Sequence, residues 1–576
     1  MLLLTLPSMP ASARPSNTLR NTASAVARFR MRGMAPSLCL AATLSLGLLA
    51  GCKSIGKKAK YAPQSVTKVL SVPAESLQPA IAKDIASEDR PSWVTADRWK
   101  RVRAIYTSFQ NAPIWLEEGG VKDRAGALLE AIRTAPDHGL DTAAYPVSEI
   151  AALVNDKRLT DTASAATIAA ADVMLTSAYV AYAADMLVGQ VNPSTVSQAW
   201  HIPAVPQELD SAIVHGLENE DMKASLAAMA PQDPDYADLK AAYAHYRDIA
   251  AKGGWPTVTS AGPALQSRLA IEVTADSARS DTRGADSVNT APAAKATKAQ
   301  PVPSSLLGQF QERHGLARTN KLDKATLAAL NVSAAERAKQ IAANLERHRW
   351  LPRTLGTRYV YVNVPAFRLD AYDSGQKTLS MKVVVGDEYE GKNTPVFSDS
   401  METVVFRPYW NITPDIQAKE IGPKVANDPS YLDRENMEFY SDGGARRIRQ
   451  KPGGKNSLGL VKFLFPNNFN IYLHDTPAKA LFAQTDRAAS HGCIRLEKPA
   501  ELAQWVLGWD GARVDAAMNG GADNHPIGVK PKIPVYIVYF TSYIRDGQLY
   551  FGSDVYNRDD RLEEKVADAQ PKAAGS

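Results

Sequence analysis

Cysteine is scarce, with three residues in 576 at Cys39, Cys52 and Cys493. Net charge is scarce too. The first 51 residues carry Arg14, Arg20, Arg28, Arg30 and Arg32 and no Lys, Asp or Glu, and the remainder balances at 61 basic and 61 acidic residues. The sequence pI near 8.8 is therefore set by the first segment, and bulk charge gives no footprint for nucleic acid. The composition, 45% hydrophobic and 22% charged, excludes a fibre or a wholly disordered chain and suits several buried cores.

A charge-free apolar run from Met34 to Ala50 follows Arg28, Arg30 and Arg32 and ends in small residues, the pattern of an export signal. It is short and alanine-rich for a permanent span, and Met31 and Met34 offer later starts. Leu49-Ala50-Gly51-Cys52 resembles the lipobox of bacterial lipoproteins. That resemblance implies cleavage before Cys52, a lipid anchor on its thiol, and, with Lys53 next, sorting toward the outer membrane. An ordinary signal peptide or an uncleaved anchor is the alternative. With Cys39 removed and Cys52 lipidated, Cys493 is the one free thiol of an exported protein. It is a candidate nucleophile, or else a buried inert cysteine.

Residues 52–90 read as a lysine-, proline- and serine-bearing tether, and 91–273 as a helical domain. Its clearest stretch places Leu175, Tyr179, Tyr182 and Met186 on one core face, with Gly189 and Asn192-Pro193 as stop signals and Asp172 and Asp185 arguing against a membrane helix. Residues 274–305 lack aromatics, Leu and Ile and read as a disordered linker. Residues 306–350 form a small helical module in which Asp323 is placed to cap the helix bearing Leu327 and Leu330. From 355 to 556 the period becomes two, with strand-like runs at 359–364, 382–386, 403–406, 462–465 and 534–539, and 557–576 reads as a frayed tail. The fold class is α+β, multidomain, with helical parts first and a β-rich domain last.

The chemistry concentrates in Ser490-His491-Gly492-Cys493-Ile494-Arg495-Leu496 and in Tyr472-Leu473-His474-Asp475-Thr476-Pro477. If 491–495 is extended, His491, Cys493 and Arg495 share one face. A thiol nucleophile needs a base or a nearby cation and donors for the developing oxyanion, and His474, His491 and Arg495 supply such groups while Gly492 permits close backbone approach. Arg495 can equally fork onto a carboxylate. Reading His474, His491 and Cys493 as zinc ligands leaves no fourth ligand cluster. His138 and His314, each before Gly, read as turn residues.

The spaced His and Ser-His-Gly-Cys pattern resembles the L,D-transpeptidases that cross-link bacterial peptidoglycan. Pro408-Tyr409-Trp410-Asn411-Ile412-Thr413-Pro414, Glu420-Ile421, Pro452-Gly453 with Asn456, Leu458-Gly459 and Lys462-Phe463 are similar to the large periplasmic members. Residues 306–332 are similar to their peptidoglycan-binding-like module, and Pro113-Ile114-Trp115-Leu116 with His138-Gly139-Leu140-Asp141 to their scaffold domain. The resemblance implies Cys493 as nucleophile, His474 as base, Ser490, His491 and Gly492 around the oxyanion, and a capping lobe over about 412–456. Tyr472, Trp410, Asn411 and Arg495 are the candidate substrate contacts, Trp410 being equally a core residue. It further implies tetrapeptide stems as acyl donors, stem amines as acceptors, no cofactor, and acylation by carbapenem-type β-lactams. Water or a protein lysine as acceptor, and a catalytically silent wall-binding anchor, stay open.

Overall fold

The structure, a computed structural model, describes residues 66–569 apart from 88, 156–158, 204–205, 281–303 and 389–391. The leader, Cys39, Cys52 and the tether up to 65 lie outside the described residues. From 66 onward the expected tether is folded instead. Lys68–Val69 and Val72–Pro73 form a small hairpin, and helix Ala74–Ala86 buries Leu77, Ile81 and Ile85 at near-helical spacing against the helical domain. Its isoleucines and leucine recur among lysines and alanines too sparsely to stand out as a periodic stretch.

Helix Ala165–Val188 is the hub of this domain, and among the described residues it is the one long and apolar enough to cross a membrane. It is a core helix. Asp172 is fully buried and accepts from the N–H groups of Ile114 (3.0 Å) and Trp115 (2.8 Å) and from the Tyr106 hydroxyl (2.6 Å). Asp185 accepts from the Tyr145 hydroxyl (2.7 Å) and pairs with Arg98. Buried carboxylates are tolerable only with such partners. The helix stops at Gly189, whose φ of +89° suits a residue without Cβ.

The small module has different boundaries from those expected. Val258, Leu265 and Leu269 share one core with Leu307, Phe310 and Leu330. Helix Pro263–Ser280 thus runs into the stretch expected to be linker and belongs with helices Ser304–Arg313 and Lys324–Leu330. Asp323 caps the last of these, accepting from Thr326 N–H at 2.8 Å. Glu272 sits among Arg268 (2.6 Å), Arg313 (3.2 Å) and His314 (3.5 Å), and His314 stacks between Phe310 and Phe551. His314 is therefore a buried packing residue as well as the one before the left-handed Gly315. His138 likewise precedes left-handed Gly139 and meets the Tyr236 hydroxyl at 2.9 Å.

Helix Ala334–Arg349, started by a Ser333–Glu336 capping box, leaves the module and braces the scaffold against the β-rich domain. Its Glu346 accepts from Gln190 N–H (2.6 Å), and its Asn344 bonds Thr541. Arg347 pairs with Asp559 (2.5 Å) at the start of helix Asp559–Ala569. The expected frayed tail is thus ordered at least to 569, where Leu562 is fully buried.

Eight strands form the closed ring of the β-rich domain: β1 Arg358–Asn363, β2 Arg368–Asp373, β3 Gln376–Gly386, β4 Phe397–Phe406, β5 Val461–Leu464, β6 Leu473–His474, β7 Ile494–Leu496 and β8 His525–Val538. They close in the order β3-β7-β6-β5-β4-β8-β1-β2 and back to β3, with Ala488–Ser490 parallel to β3. Only β6 with β7 and β8 with β1 run parallel in this ring. Closure leaves no free edge around a core of Val360, Val362, Met381, Phe406, Phe463, Leu473 and Ile494. Between β4 and β5 a lobe of short helices and strands Trp410–Asn411, Met437–Asp442 and Ala445–Gln450 packs on its own core of Ile412, Ile421, Met437 and Ile448. It begins two residues before the expected capping lobe.

Candidate active site

The β6–β7 register builds the site. Leu473 lies opposite Ile494 and both point into the core, so the alternate residues Tyr472, His474 and Arg495 project to the other face. Lys462 of β5 pairs with His474 and joins them. Burial lowers the Lys462 ammonium's pKa and the Cys493 thiol raises it, while its Nζ stands 5.8 Å from the Tyr472 ring.

Cys493 sits just before β7, after a turn at Gly492. Gly492 has φ +110°, so 491–495 is not continuously extended and His491 does not share the face of Cys493 and Arg495. Instead His491 is exposed and its Nε2 meets Glu420 Oε1 of the lobe at 2.7 Å, tying the Cys493 loop to the lobe. The loop is held from within. Ser490 Oγ donates to Cys493 O (2.6 Å) and accepts from Gly492 N–H (3.2 Å), while Thr394 Oγ1 donates to Gly492 O (2.8 Å). A Cβ on Gly492 would stand 3.1 Å from Ile471 Cδ1.

The thiol keeps partial solvent contact, and its Sγ donates to Asn470 O at 3.4 Å. Burial pushes it up to about 11, against the Tyr472 N–H and hydroxyl and the charges of Arg495 and Lys462, which favour thiolate. Burial likewise lowers His474 to about 4, with Arg495 and Lys462 adding repulsion. Both groups rest neutral near pH 7. His474 Nδ1 lies 2.5 Å from Asp475 O. A carbonyl only accepts, so Nδ1 carries the proton and the lone pair is left on Nε2, the form of a general base.

Asp475 fixes this histidine. Its carboxylate accepts from Leu460 N–H (2.9 Å), Thr476 N–H (2.7 Å) and Lys479 (2.7 Å). Gly459 leaves the room, since a Cβ there would lie 2.2 Å from Asp475 Oδ2. Among the described residues neither Arg495 nor Lys462 meets a carboxylate, so two cations face the thiol unpaired. Trp410 and Asn411 form a strand of the lobe, Trp410 half-buried on the lobe core and Asn411 exposed. Lys462, Thr394 and Asp475 are site residues that sequence reasoning left without a role. Lys462 and Asp475 lay inside quoted motifs, and only the strand register reveals what they face. Among the described residues no group of three or more His, Cys, Asp or Glu can hold a metal ion.

A thiol, a neutral imidazole and two cations thus gather on one face of the closed sheet. Residues 357–537 match the L,D-transpeptidase catalytic domain and residues 100–242 the scaffold domain. The chain therefore carries an L,D-transpeptidase catalytic domain joined to a scaffold domain. It is 29% identical over 244 residues to a curated Haemophilus influenzae protein named "Putative L,D-transpeptidase", covering 39% of this chain and 49% of that one. The chain thus matches about half the length of this relative. A solved L,D-transpeptidase from Xylanimonas cellulosilytica aligns at 15% identity and TM-score 0.15 over 50% of this chain and 98% of its own. The "Ldtfm-avibactam carbamoyl enzyme" aligns at 13% identity and TM-score 0.15 over 33% and 51%.

Proposed function

We propose that the protein forms 3→3 cross-links between peptidoglycan stem peptides through a thioester on Cys493. The observation that carries this reading is a neutral His474, its Nδ1 proton held by Asp475 O so that Nε2 is left as a base, on the strand adjoining the one that Cys493 precedes, with Lys462 and Arg495 beside the thiol. His474 Nε2 takes the thiol proton as Sγ attacks the carbonyl of the L-configured centre of the third stem residue. The tetrahedral intermediate collapses, the bond to terminal D-Ala breaks, and the imidazolium returns its proton to the leaving amine. An amine of a second stem then attacks the thioester, passes its proton to His474, and releases the thiol. Water or a protein lysine in place of that amine gives a carboxypeptidase or a wall-attachment enzyme.

The reading includes export and anchoring through Cys52, on the strength of Leu49-Ala50-Gly51-Cys52, and acylation of Cys493 by carbapenem-type β-lactams. Mass spectrometry of disaccharide-tetrapeptides after incubation tests the chemistry. A Cys493-dependent dimer lacking one D-Ala supports it, Cys493-dependent tripeptide alone makes the enzyme a carboxypeptidase, and products unchanged by Cys493→Ala leave a binding role. For the anchor, Cys52→Ser should abolish acyl labelling and membrane fractionation.

A further inference from the structure

A groove of about 680 Å³ opens against His491 and Gly492, the residues that precede Cys493. His491 and Gly492 form one wall, and the scaffold segment Val196–His201 forms another. That segment is bonded into the catalytic domain, with His201 N–H donating to Val396 O (2.7 Å) and Val396 N–H to Ala199 O (2.7 Å). Asn393, Phe469 and Ile471 close the middle, and Tyr556, Asn557, Arg558 and Arg561 close the end.

Among the described residues the lining holds two arginines and no carboxylate. Arg558 is 7% exposed, and its Nη1 and Nη2 are buried without a hydrogen-bond partner among the described residues. Its guanidinium carbon lies 4.5 Å from the Tyr539 ring and 4.8 Å from the Tyr556 ring, contacts that hold the plane but satisfy no N–H. The acids behind it are committed elsewhere. Asp554 accepts from the Tyr539 hydroxyl (2.5 Å) and the Arg558 and Asp559 N–H groups (2.9 and 2.8 Å), and Asp559 pairs with Arg347 (2.5 Å). At the rim, Glu388 accepts from Asn557 at 2.8 Å. Arg561, one turn onward, is exposed. A buried guanidinium lacking partners is costly, and an incoming carboxylate supplies what it lacks.

We propose that this groove binds a carboxylate of a peptide seated beside Cys493, with Arg561 meeting it first, Arg558 behind, and the amides of Asn393, Asn557 and Gln198 available to its backbone. The scaffold domain then supplies part of the substrate site. The ligand's identity as a stem peptide rests on the acyl-transfer reading above.

Calorimetry on the full chain bearing Cys493→Ala, with a disaccharide-tetrapeptide and with the same compound amidated at its carboxyls, tests this without turnover. Arg561→Glu should raise Kd for the acid form at least about tenfold, the scale of one charge-assisted hydrogen bond. The amidated form should bind weakly and alike to both proteins, and Arg561→Lys should restore most of the affinity. Arg561 is exposed, so the variant should fold, and an unchanged thermal midpoint checks that it does. Equal Kd values for the acid form in both proteins, equal affinity for acid and amide, or no binding by the parent each overturn the proposal. Cross-linking by the Cys493 enzyme with an Arg561-independent Kd would sink the groove and spare the chemistry. Arg561-dependent binding without product would do the reverse.

Discussion

Replacing His474 by Gln should turn the enzyme into one that works only at high pH. A thiol held at about 11 by burial carries about 3 kcal/mol against its thiolate relative to a free cysteine, so about one molecule in ten thousand is ionised at pH 7. With His474 present the proton leaves as the attack proceeds, and that low population does not limit the rate. Without it, acylation by a β-lactam at pH 7 should fall by about 10²–10⁴. It should then climb about tenfold per pH unit toward 11, following the thiolate. The parent needs the imidazole neutral, and burial has lowered it to about 4, so its rate should stay level through mild acid and drop only below about 4. Ultraviolet thiolate absorbance, taken as the difference between parent and Cys493→Ala, reads the resting state directly. A midpoint below about pH 7 would mean a thiolate–imidazolium pair at rest and would refute the neutral-pair argument.

Lys462→Met removes one of the two cations facing the thiol, so the alkaline midpoint should move upward and kcat/KM fall about tenfold, with Lys462→Arg largely retaining both. A pH series of alkylation rates checks this. Gly492→Ala places a side chain at φ +110° and 3.1 Å from Ile471, which should cost about 1–3 kcal/mol in thermal unfolding and slow β-lactam acylation of Cys493. In the small module burial acts to raise Glu272, but Arg268, His314 and Arg313 outweigh it and hold the carboxyl well below the usual range. Its stabilisation is therefore full above the unfolded carboxyl value and lost as pH falls through the lower folded one. Burial lowers His314 to about 4, so protonation of the unfolded chain destabilises the module over the range from about 6.5 down to about 4. Scanning calorimetry should show the melting temperature dropping on acidification. Glu272→Gln, which strands buried Arg268, should cost about 3–5 kcal/mol at neutral pH.

The strands were legible because alternation survives in short runs. Tyr359-Val360-Tyr361-Val362 and Lys462-Phe463-Leu464 fall in β1 and β5 with their core residues inward. The helix at 74–86 was obscured by a lysine- and proline-bearing neighbourhood, since it gains order from the long helix it packs on rather than from its own pattern. The module's true extent was hidden because its core joins residues on both sides of a low-hydrophobicity segment, and composition reports only the segment. At the site, Cys493 and His474 stood out by chemistry, and the structure sets His474 on β6 and Cys493 just before the neighbouring β7. His491 was misplaced because strand alternation was carried across Gly492, whose positive φ interrupts it. Arg558 and Arg561 were read as tail, since a helix of alternating acids and bases resembles a solvated end until Leu562 is seen buried.

Closure of the β ring sets an order on the life of the chain. Val360 of β1 pairs with Val535 of β8, and the groove against His491 and Gly492 is finished by Arg558 and Arg561. At ribosomal speeds of about 5–20 residues per second, Val360 waits on the order of ten seconds or more for its partner. The scaffold helices are made earlier, but their core also takes Ile341 and Leu345 and, from far downstream, Ile544, Leu549 and Phe551. A half-made chain therefore holds neither a completed scaffold core nor a closed ring, and both are finished only once the strands near 535–551 are made. Truncation before Ser542 should leave the scaffold core and the groove incomplete together, lowering the thermal midpoint of the helical domain as well.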